Sequence, residues 1–284
     1  MSFLIPENLE QLVCALEQKD DHTYLCAGGT DLLIHLRAKK KFHYSVIDLT
    51  HIDEIKHITE DEDQVVIGSG VTMTQLEKST IIKKYFPALQ MAASMVGSTQ
   101  IRNRATLGGN IANASQSADT APVLFALGAK AVVLNEKGEK KCCLAEDLVE
   151  GREKNRLADR EMILEFHIPK KEWRSAFAKV GSRKAVTISK INGCIRTRVN
   201  QGIMEDTVVY LGAVGVKASR AYLIEKALDG KKLEGFQVQS VKDEIYRQIE
   251  ENIPDRPSKH YKKSAAMGIV DTLLEELKKE GKEG

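Results

Sequence analysis

A two-domain α+β chain is what this sequence predicts, and three observations carry the prediction. At 284 residues the chain is long for one hydrophobic core. Strand-like and helix-like runs follow one another as far as Pro169, with glycine turns between them. Pro169 and the Lys170-Lys171-Glu172 run then punctuate the chain near residue 172, and a second mixed set of strands and helices follows.

The chain opens on a short extended piece, and a helix starts at about Asn8 with Leu9, Leu12, Val13 and Leu16 on one face. TYLCA (23–27) reads as a strand and the glycines after it as a turn. DLLIHLRAKK (31–40) is a helix whose Leu32, Leu33 and Leu36 are expected to face inward. YSVIDLT (44–50) completes a βαβ-like unit. QVVIGSGVTMTQLEKS (64–79) repeats the order of strand, glycine turn and helix, with Thr72 or Thr74 as cap. PALQMAASMVG (87–97) is an Ala- and Met-rich helix suited to burial, and TAPVLFALG (120–128) a short helix. KAVVLNEKGEKKCCLAEDL (130–148) is a hairpin turning at Lys137–Gly138. The charged run Glu150–Glu161 reads as an exposed loop, and MILEFHIP (162–169) as a strand.

Beyond residue 172, SAFAKVG (175–181), TISKINGCIRTRV (187–199) and TVVYLGAVGV (207–216) are strands, with Asn200-Gln201-Gly202 turning the last pair. SRAYLIEKALDG (219–230), SVKDEIYRQIEEN (240–252) and YKKSAAMGIVDTLLEELKKE (261–280) are helices. The expected domains are therefore 1–172, subdivided at about residue 53 into 1–53 and 54–172, and 173–284.

Composition narrows the function. The 42 basic and 40 acidic residues leave a net charge of +2, so there is no electrostatic footprint for nucleic acid. The runs Lys39–Lys41 and Lys262–Lys263 read as solvated faces. No stretch approaches the ~20 apolar residues of a membrane span, and MSFLIPENLEQ lacks the features of a signal peptide. The five cysteines (Cys14, Cys26, Cys142, Cys143, Cys194) include no C-x-x-C pair, which points to a reduced, cytoplasmic chain without its own zinc or iron–sulfur site. The seven histidines show no metal-ligand spacing, and His51 and His57 read as surface or cap residues.

Two Gly-Gly pairs remain, in AGGTDLL (27–33) and TLGGNIANASQSAD (106–119), each feeding a helix-like segment. A strand turning into a helix leaves backbone N–H groups unpaired where the macrodipole is positive, and glycine lets an anion approach closely. One such turn can hold a phosphate; two converging turns can grip a pyrophosphate. Neither fits a P-loop or a Rossmann fingerprint, and either can be no more than a tight turn.

Four quoted stretches, taken in order and spacing, carry a resemblance: LCAGGTDLLIHL, IGSGVTMTQL, VGSTQIRNRATLGGNIANASQSADTAPVLFAL and FAKVGSRKAVTISKINGC. They resemble the FAD-binding medium subunit of molybdenum hydroxylases, closest to the separate-subunit xanthine dehydrogenase branch. The resemblance covers essentially the whole chain, including RPSKHYKKSAAMG (256–268). It implies a vanillyl-alcohol-oxidase-type fold, in which two α+β subdomains clasp FAD and a C-terminal α+β domain covers the flavin. It implies a first pyrophosphate loop at Ala27, Gly28, Gly29, Thr30 and Asp31, and a second at Thr106, Leu107, Gly108, Gly109 and Asn110. It further implies a flavin-side-chain contact at Asp119, a backbone contact near the adenine at Ile163, and a lysine on the first C-terminal strand at Lys179. Val96 stands where some relatives carry an aromatic residue.

The activity implied is electron transfer from FAD to NAD⁺. Molybdopterin and [2Fe-2S] clusters are carried only by partners, a molybdenum-cofactor large subunit and an iron–sulfur small subunit. The residues agree with a carrier, because a flavin brings its own redox chemistry and needs no catalytic triad or acid–base dyad beside it. Local readings stay open at three positions: Asp119 also suits an N-cap of TAPVLFAL, Lys179 a snorkelling edge residue, and Cys26 a small buried hydrophobe.

Overall fold

A computed structural model describes residues 3–41, 43–183 and 185–280. Met1, Ser2, Phe42, Lys184 and residues 281–284 lie outside the described residues, and with them the outer ends of the two expected domains and one position of the FAKVGSRKAVTISKINGC stretch. The first unit is parallel. Strands β1 (Phe3–Leu4), β2 (Thr23–Cys26) and β3 (Ser45–Asp48) form a sheet in the order β1-β3-β2. Helix α1 (Leu9–Glu17) is capped by Asn8, whose side chain accepts from Gln11 N at 2.9 Å, and buries Leu12, Ala15 and Leu16. Helix α2 (Leu32–Ala38) crosses between β2 and β3.

On α2 the expected inward face is narrower than the sequence suggests. Leu36 is buried, but Leu33 is 43% exposed and Ile34 63% exposed. A seven-residue helix has only two turns, so one core contact at Leu36 leaves the opposite side uncovered.

The second unit is an antiparallel sheet wrapped around helices. It begins with β4 (Ile58–Glu60), which alternation does not reveal in so short a segment, and β5 (Gln64–Gly68). Helices α3 (Met73–Lys78), α4 (Thr80–Tyr85), α5 (Pro87–Ser94), α6 (Thr99–Arg102), α7 (Leu107–Ala112) and α8 (Thr120–Ala126) follow. Thr72, not Thr74, caps α3, through a reciprocal capping box with Gln75. Then come β6 (Lys130–Leu134), β7 (Lys140–Leu144), the small hairpin β8 (Val149–Gly151) and β9 (Lys154–Asn155), and β10 (Met162–Pro169). The sheet order is β4-β5-β10-β6-β7, with every pair antiparallel. The β6–β7 turn falls as expected, with Gly138 at φ +75°. The Glu150–Glu161 run is not wholly loop: β8 and β9 pair within it, and Asn155 Nδ2 donates to Ala112 O at 2.6 Å, tying the hairpin to the end of α7.

The third unit is an antiparallel sheet in the order β11-β12-β13-β14, with β11 (Arg174–Gly181), β12 (Ser189–Asn200), β13 (Ile203–Gly212) and β14 (Ser219–Arg220). Helices α9 (Tyr222–Leu228), α10 (Lys242–Asn252) and α11 (Lys259–Glu280) complete it. Ser219 and Arg220 belong to β14 rather than to the helix that sequence pattern assigns them, because both pair with β13. Buried Ile269, Val270, Leu273 and Leu274 of α11 join Ile191, Ile195 and Leu211 of this sheet in one core.

Three clusters make the interior, and the largest bridges the units. It joins Phe86, Leu89, Leu107, Leu124 and Phe166 to Phe177, Cys194 and Tyr210 of the C-terminal sheet. No helix among the described residues is long and apolar enough to cross a membrane. Arg196 fastens the same junction. Its Nε donates to Ala126 O at 2.9 Å, its Nη1 to Asp206 Oδ2 at 2.7 Å, and its guanidinium lies 3.7 Å from the Trp173 ring centroid. The cation therefore meets a carbonyl in the last turn of α8, where the helix dipole is negative. Arg196→Ala should lower stability by ~1–3 kcal/mol, read as the melting temperature of the apo chain.

Candidate cofactor-binding site

The first glycine turn leaves β2 and enters α2; the second enters α7. Both reach one partly open cleft of about 270 Å³. Its lining includes Ala27, Gly28, Gly29, Thr30 and Asp31 from the first turn, and Thr106, Gly108, Gly109 and Asn110 from the second. Leu25, Leu49, Leu157, Met162 and Ile163 add apolar lining.

The two turns differ in what their backbones leave free. At the second, Leu107 N donates to Val71 O, Gly108 N to Ser69 O and Gly109 N to the Thr106 hydroxyl, at 2.9, 2.9 and 3.1 Å. At the first, the N–H groups of Gly28, Gly29, Thr30, Asp31 and Leu32 make no hydrogen bond to any other part of the chain among the described residues. A row of unpaired donors at a positive helix end is a cradle for an anion.

The glycines also have separate reasons. A Cβ on Gly28 would stand 2.1 Å from Arg104 O, so its absence lets the first turn touch the backbone leading into the second. A Cβ on Gly108 would stand 2.5 Å from Ser69 Cβ. Gly29 adopts φ +71°, open to glycine at little cost. Around Gly109 only the Thr106 hydroxyl, at 3.0 Å, lies near a hypothetical Cβ, and the residue lines the cleft.

Ile163 sits at an irregularity. The β10–β6 register shifts between Ile163 and Glu165, and Ser69 N donates to Leu164 O at 2.9 Å. A bulge of this kind frees backbone groups at the cleft wall. Leu107 is fully buried, so this member of the second motif serves the core rather than the cleft lining. Cys26 is half-buried at the cleft rather than a core hydrophobe; burial, and the nearby Asp48 carboxylate against Arg104, push its thiol up, so it stays neutral. Val96 is partly buried against the largest core cluster. His57 is a partly exposed partner of Glu165, at 3.5 Å.

Asp119 and Lys179 stand apart from this cleft, in a polar knot between the α8 end and the C-terminal sheet. Asp119 occupies the N-cap position of α8 but makes no side-chain cap bond. Its Oδ2 accepts from Lys179 Nζ at 2.6 Å, and its Oδ1 from Ser189 Oγ at 2.6 Å and Asn192 Nδ2 at 2.8 Å. Lys179 also donates to Met95 O at 2.9 Å. The Lys179 and Asp119 side chains are each only 8% exposed. Lys179 is thus a paired buried ammonium, not a snorkelling edge residue, and it borders a second recess with Ser98, Thr99 and Arg183. Ser189 and Asn192 were invisible as partners in the sequence, since strand register alone brings them beneath Asp119. His35 also lines the cleft, and its spacing four residues after Asp31 on one helical face is the signal that could have shown it.

A cleft lined by a row of unpaired N–H groups and by Leu25, Leu157 and Met162 has the chemistry a dinucleotide calls for, donors for an anion and apolar surface for a ring. The fold and this cleft define a flavin-type cofactor carrier. The chain belongs to the family of FAD-binding subunits of molybdenum-hydroxylase-type dehydrogenases: the profile described as FAD binding domain in molybdopterin dehydrogenase matches residues 1–171, and that of the CO dehydrogenase flavoprotein C-terminal domain matches residues 176–277. It is 30% identical to the nicotinate dehydrogenase FAD-subunit of Eubacterium barkeri, over 97% of this chain and 95% of that one. It is 28% identical to the xanthine dehydrogenase FAD-binding subunit of Escherichia coli O157:H7, over 89% of this chain and 86% of that one. Among solved structures it superposes on a chain of carbon monoxide dehydrogenase from Hydrogenophaga pseudoflava with a TM-score of 0.86 at 26% identity, covering 98% and 96% of the two chains.

Two substitutions separate cradle from scaffold. Gly109→Val should leave the apo melting temperature within ~1 kcal/mol of wild type, because helix propensity does not oppose it, yet abolish FAD retention by filling the cleft. Gly138→Val, at a strained hairpin turn, should cost ~1–2 kcal/mol and leave FAD binding intact. Asp119→Ala should cost ~3–5 kcal/mol even without FAD, since it strands a buried ammonium; apo-chain denaturation measures it.

Proposed function

We propose that this chain is the FAD-carrying electron-transfer subunit of a multi-subunit molybdenum hydroxylase of the xanthine dehydrogenase kind. Electrons reach it from [2Fe-2S] clusters on a small subunit, after substrate oxidation on a molybdenum-cofactor large subunit, and leave to NAD⁺. The observation that carries the reading is the row of unpaired N–H groups at Gly28–Leu32, set in a cleft shared with the second glycine turn. Bound FAD supplies reversible exchange between two-electron and one-electron donors.

The chain's own residues bind and orient. The Gly28–Leu32 donors take the diphosphate, Gly109 leaves room for it, and Ile163 with Leu25 and Met162 receives the adenine. We assign Lys179, anchored by Asp119, to the flavin end, with Asp119 also within reach of the flavin's polar side chain. The domain limits 1–172 and 173–284 belong to this reading, with the cofactor held by the first and covered by the second. A reducing, cytoplasmic setting belongs to it as well, supported by five cysteines that are all free thiols. Names of relatives support the partners: medium subunits of nicotine 6-hydroxylase and carbon monoxide dehydrogenase lie among its matches.

Anaerobic titration of the isolated holo-chain with NADH should bleach the oxidised flavin bands, while xanthine, hypoxanthine and nicotinate leave them unchanged. Bleaching by one of those substrates without partners would instead mark a self-sufficient enzyme. No bleaching by NADH would remove NAD⁺ as the acceptor.

A further inference from the structure

We propose that protonated His35 binds the cofactor's diphosphate, making FAD affinity pH-dependent. The inference rests on FAD as the cofactor. Two negative charges on a diphosphate enter a cleft whose nearest donors, the N–H groups of Gly28–Leu32, are neutral dipoles. Among the described residues lining that cleft, His35 is the one basic side chain.

Helix geometry puts it in reach. His35 lies one turn beyond Asp31 on α2, ~6 Å along the axis. Its Cα–Cβ bond tilts toward the helix N-terminus, where the donor row stands. The imidazole has no hydrogen-bond or ion-pair partner among the described residues, whereas His57 and His167 both meet Glu165. Both ring nitrogens of His35 are therefore available to a ligand.

The other titratable groups around the cleft do not share this role. Against a burial that pushes its carboxyl up, the Lys141 ammonium at 2.6 Å and the Ala158 N–H hold Glu161 below its ordinary range. Burial pushes the Cys26 thiol up. Asp31, also at the cleft, is a carboxylate without a cap bond, one turn from His35. Arg104 meets Gly28 through its backbone carbonyl, and its cation, close enough to act on the Cys26 thiol, is a fixed charge that sets no pH slope; Arg37 follows His35 outside the cleft lining. The diester phosphates of FAD keep their charge across neutral pH, so a pH slope there reports on the protein.

The sign follows from linkage. FAD binds the protonated imidazole more tightly, so affinity falls as pH rises and the proton leaves. Equilibrium dialysis of FAD against the apo chain, from about pH 5.5 to pH 8.5, tests it. Wild-type Kd should rise about three- to tenfold over that range. His35→Gln should bind weakly with no slope, and His35→Arg tightly with no slope, both with wild-type apo melting. A flat wild-type profile, or an unchanged slope in His35→Gln, overturns the proposal. Failure of the wild-type chain to bind FAD at any pH overturns it together with the cofactor assignment.

Discussion

Everything at the cleft depends on how closely three pieces of backbone approach one another. Gly28 lies against Arg104 and Ala105, and Gly108 against Ser69, at separations no Cβ could occupy. Hydrogen bonds then fix the contact. Met73 N donates to Ala105 O, Leu107 N to Val71 O and Gly108 N to Ser69 O, while Ser69 N reaches across to Leu164 O at the β10 irregularity. The second glycine turn is thus satisfied internally and acts as a buttress. The first turn rests on that buttress and keeps its donors free. Each pair holds one glycine required by packing, Gly28 and Gly108; what separates the pairs is which backbone N–H groups the chain itself takes up.

The polar knot at Asp119 does for the two halves of the chain what the glycines do within the first half. Donors from β11 and β12 converge on one carboxylate at the end of α8, in a region where Asn192 is fully buried. Stability alone does not explain such a knot, because well-packed apolar residues often serve as well as a buried ion pair. Its particular contribution is position. Lys179 has Asp119 and Met95 O as partners, so its ammonium is held against the recess that it borders. Asn192 Oδ1 is left as a buried acceptor without a partner among the described residues, and Gly212 gives it room, since a Cβ there would stand 2.0 Å away.

How much of this was readable from the sequence depends on the range of the interaction. Elements set by local rules came through: α1 starts at Asn8, Gly138 turns the β6–β7 hairpin, and β11–β13 stand where strands were expected, with middles buried on both faces. Short elements did not. β4 has three residues, and the β8–β9 hairpin hides in a charged run because charge is no obstacle to an exposed ladder. The exposure of Leu33 was hidden because periodicity shows which residues share a face, not whether anything covers it. At the site, both glycine motifs could be found. The difference between them could not, because it turns on whether distant carbonyls, Ser69 and Val71, take the N–H groups. The Ser189 and Asn192 contacts needed strand register as well.

The cleft divides its electrostatic work between groups that cannot change and one that can. The unpaired N–H groups of Gly28–Leu32 keep their polarity at every pH and carry no net charge, and His35 is the one basic side chain among the described residues lining the cleft. The donor row thus sets a floor of affinity, and a single titratable side chain adjusts the level above it.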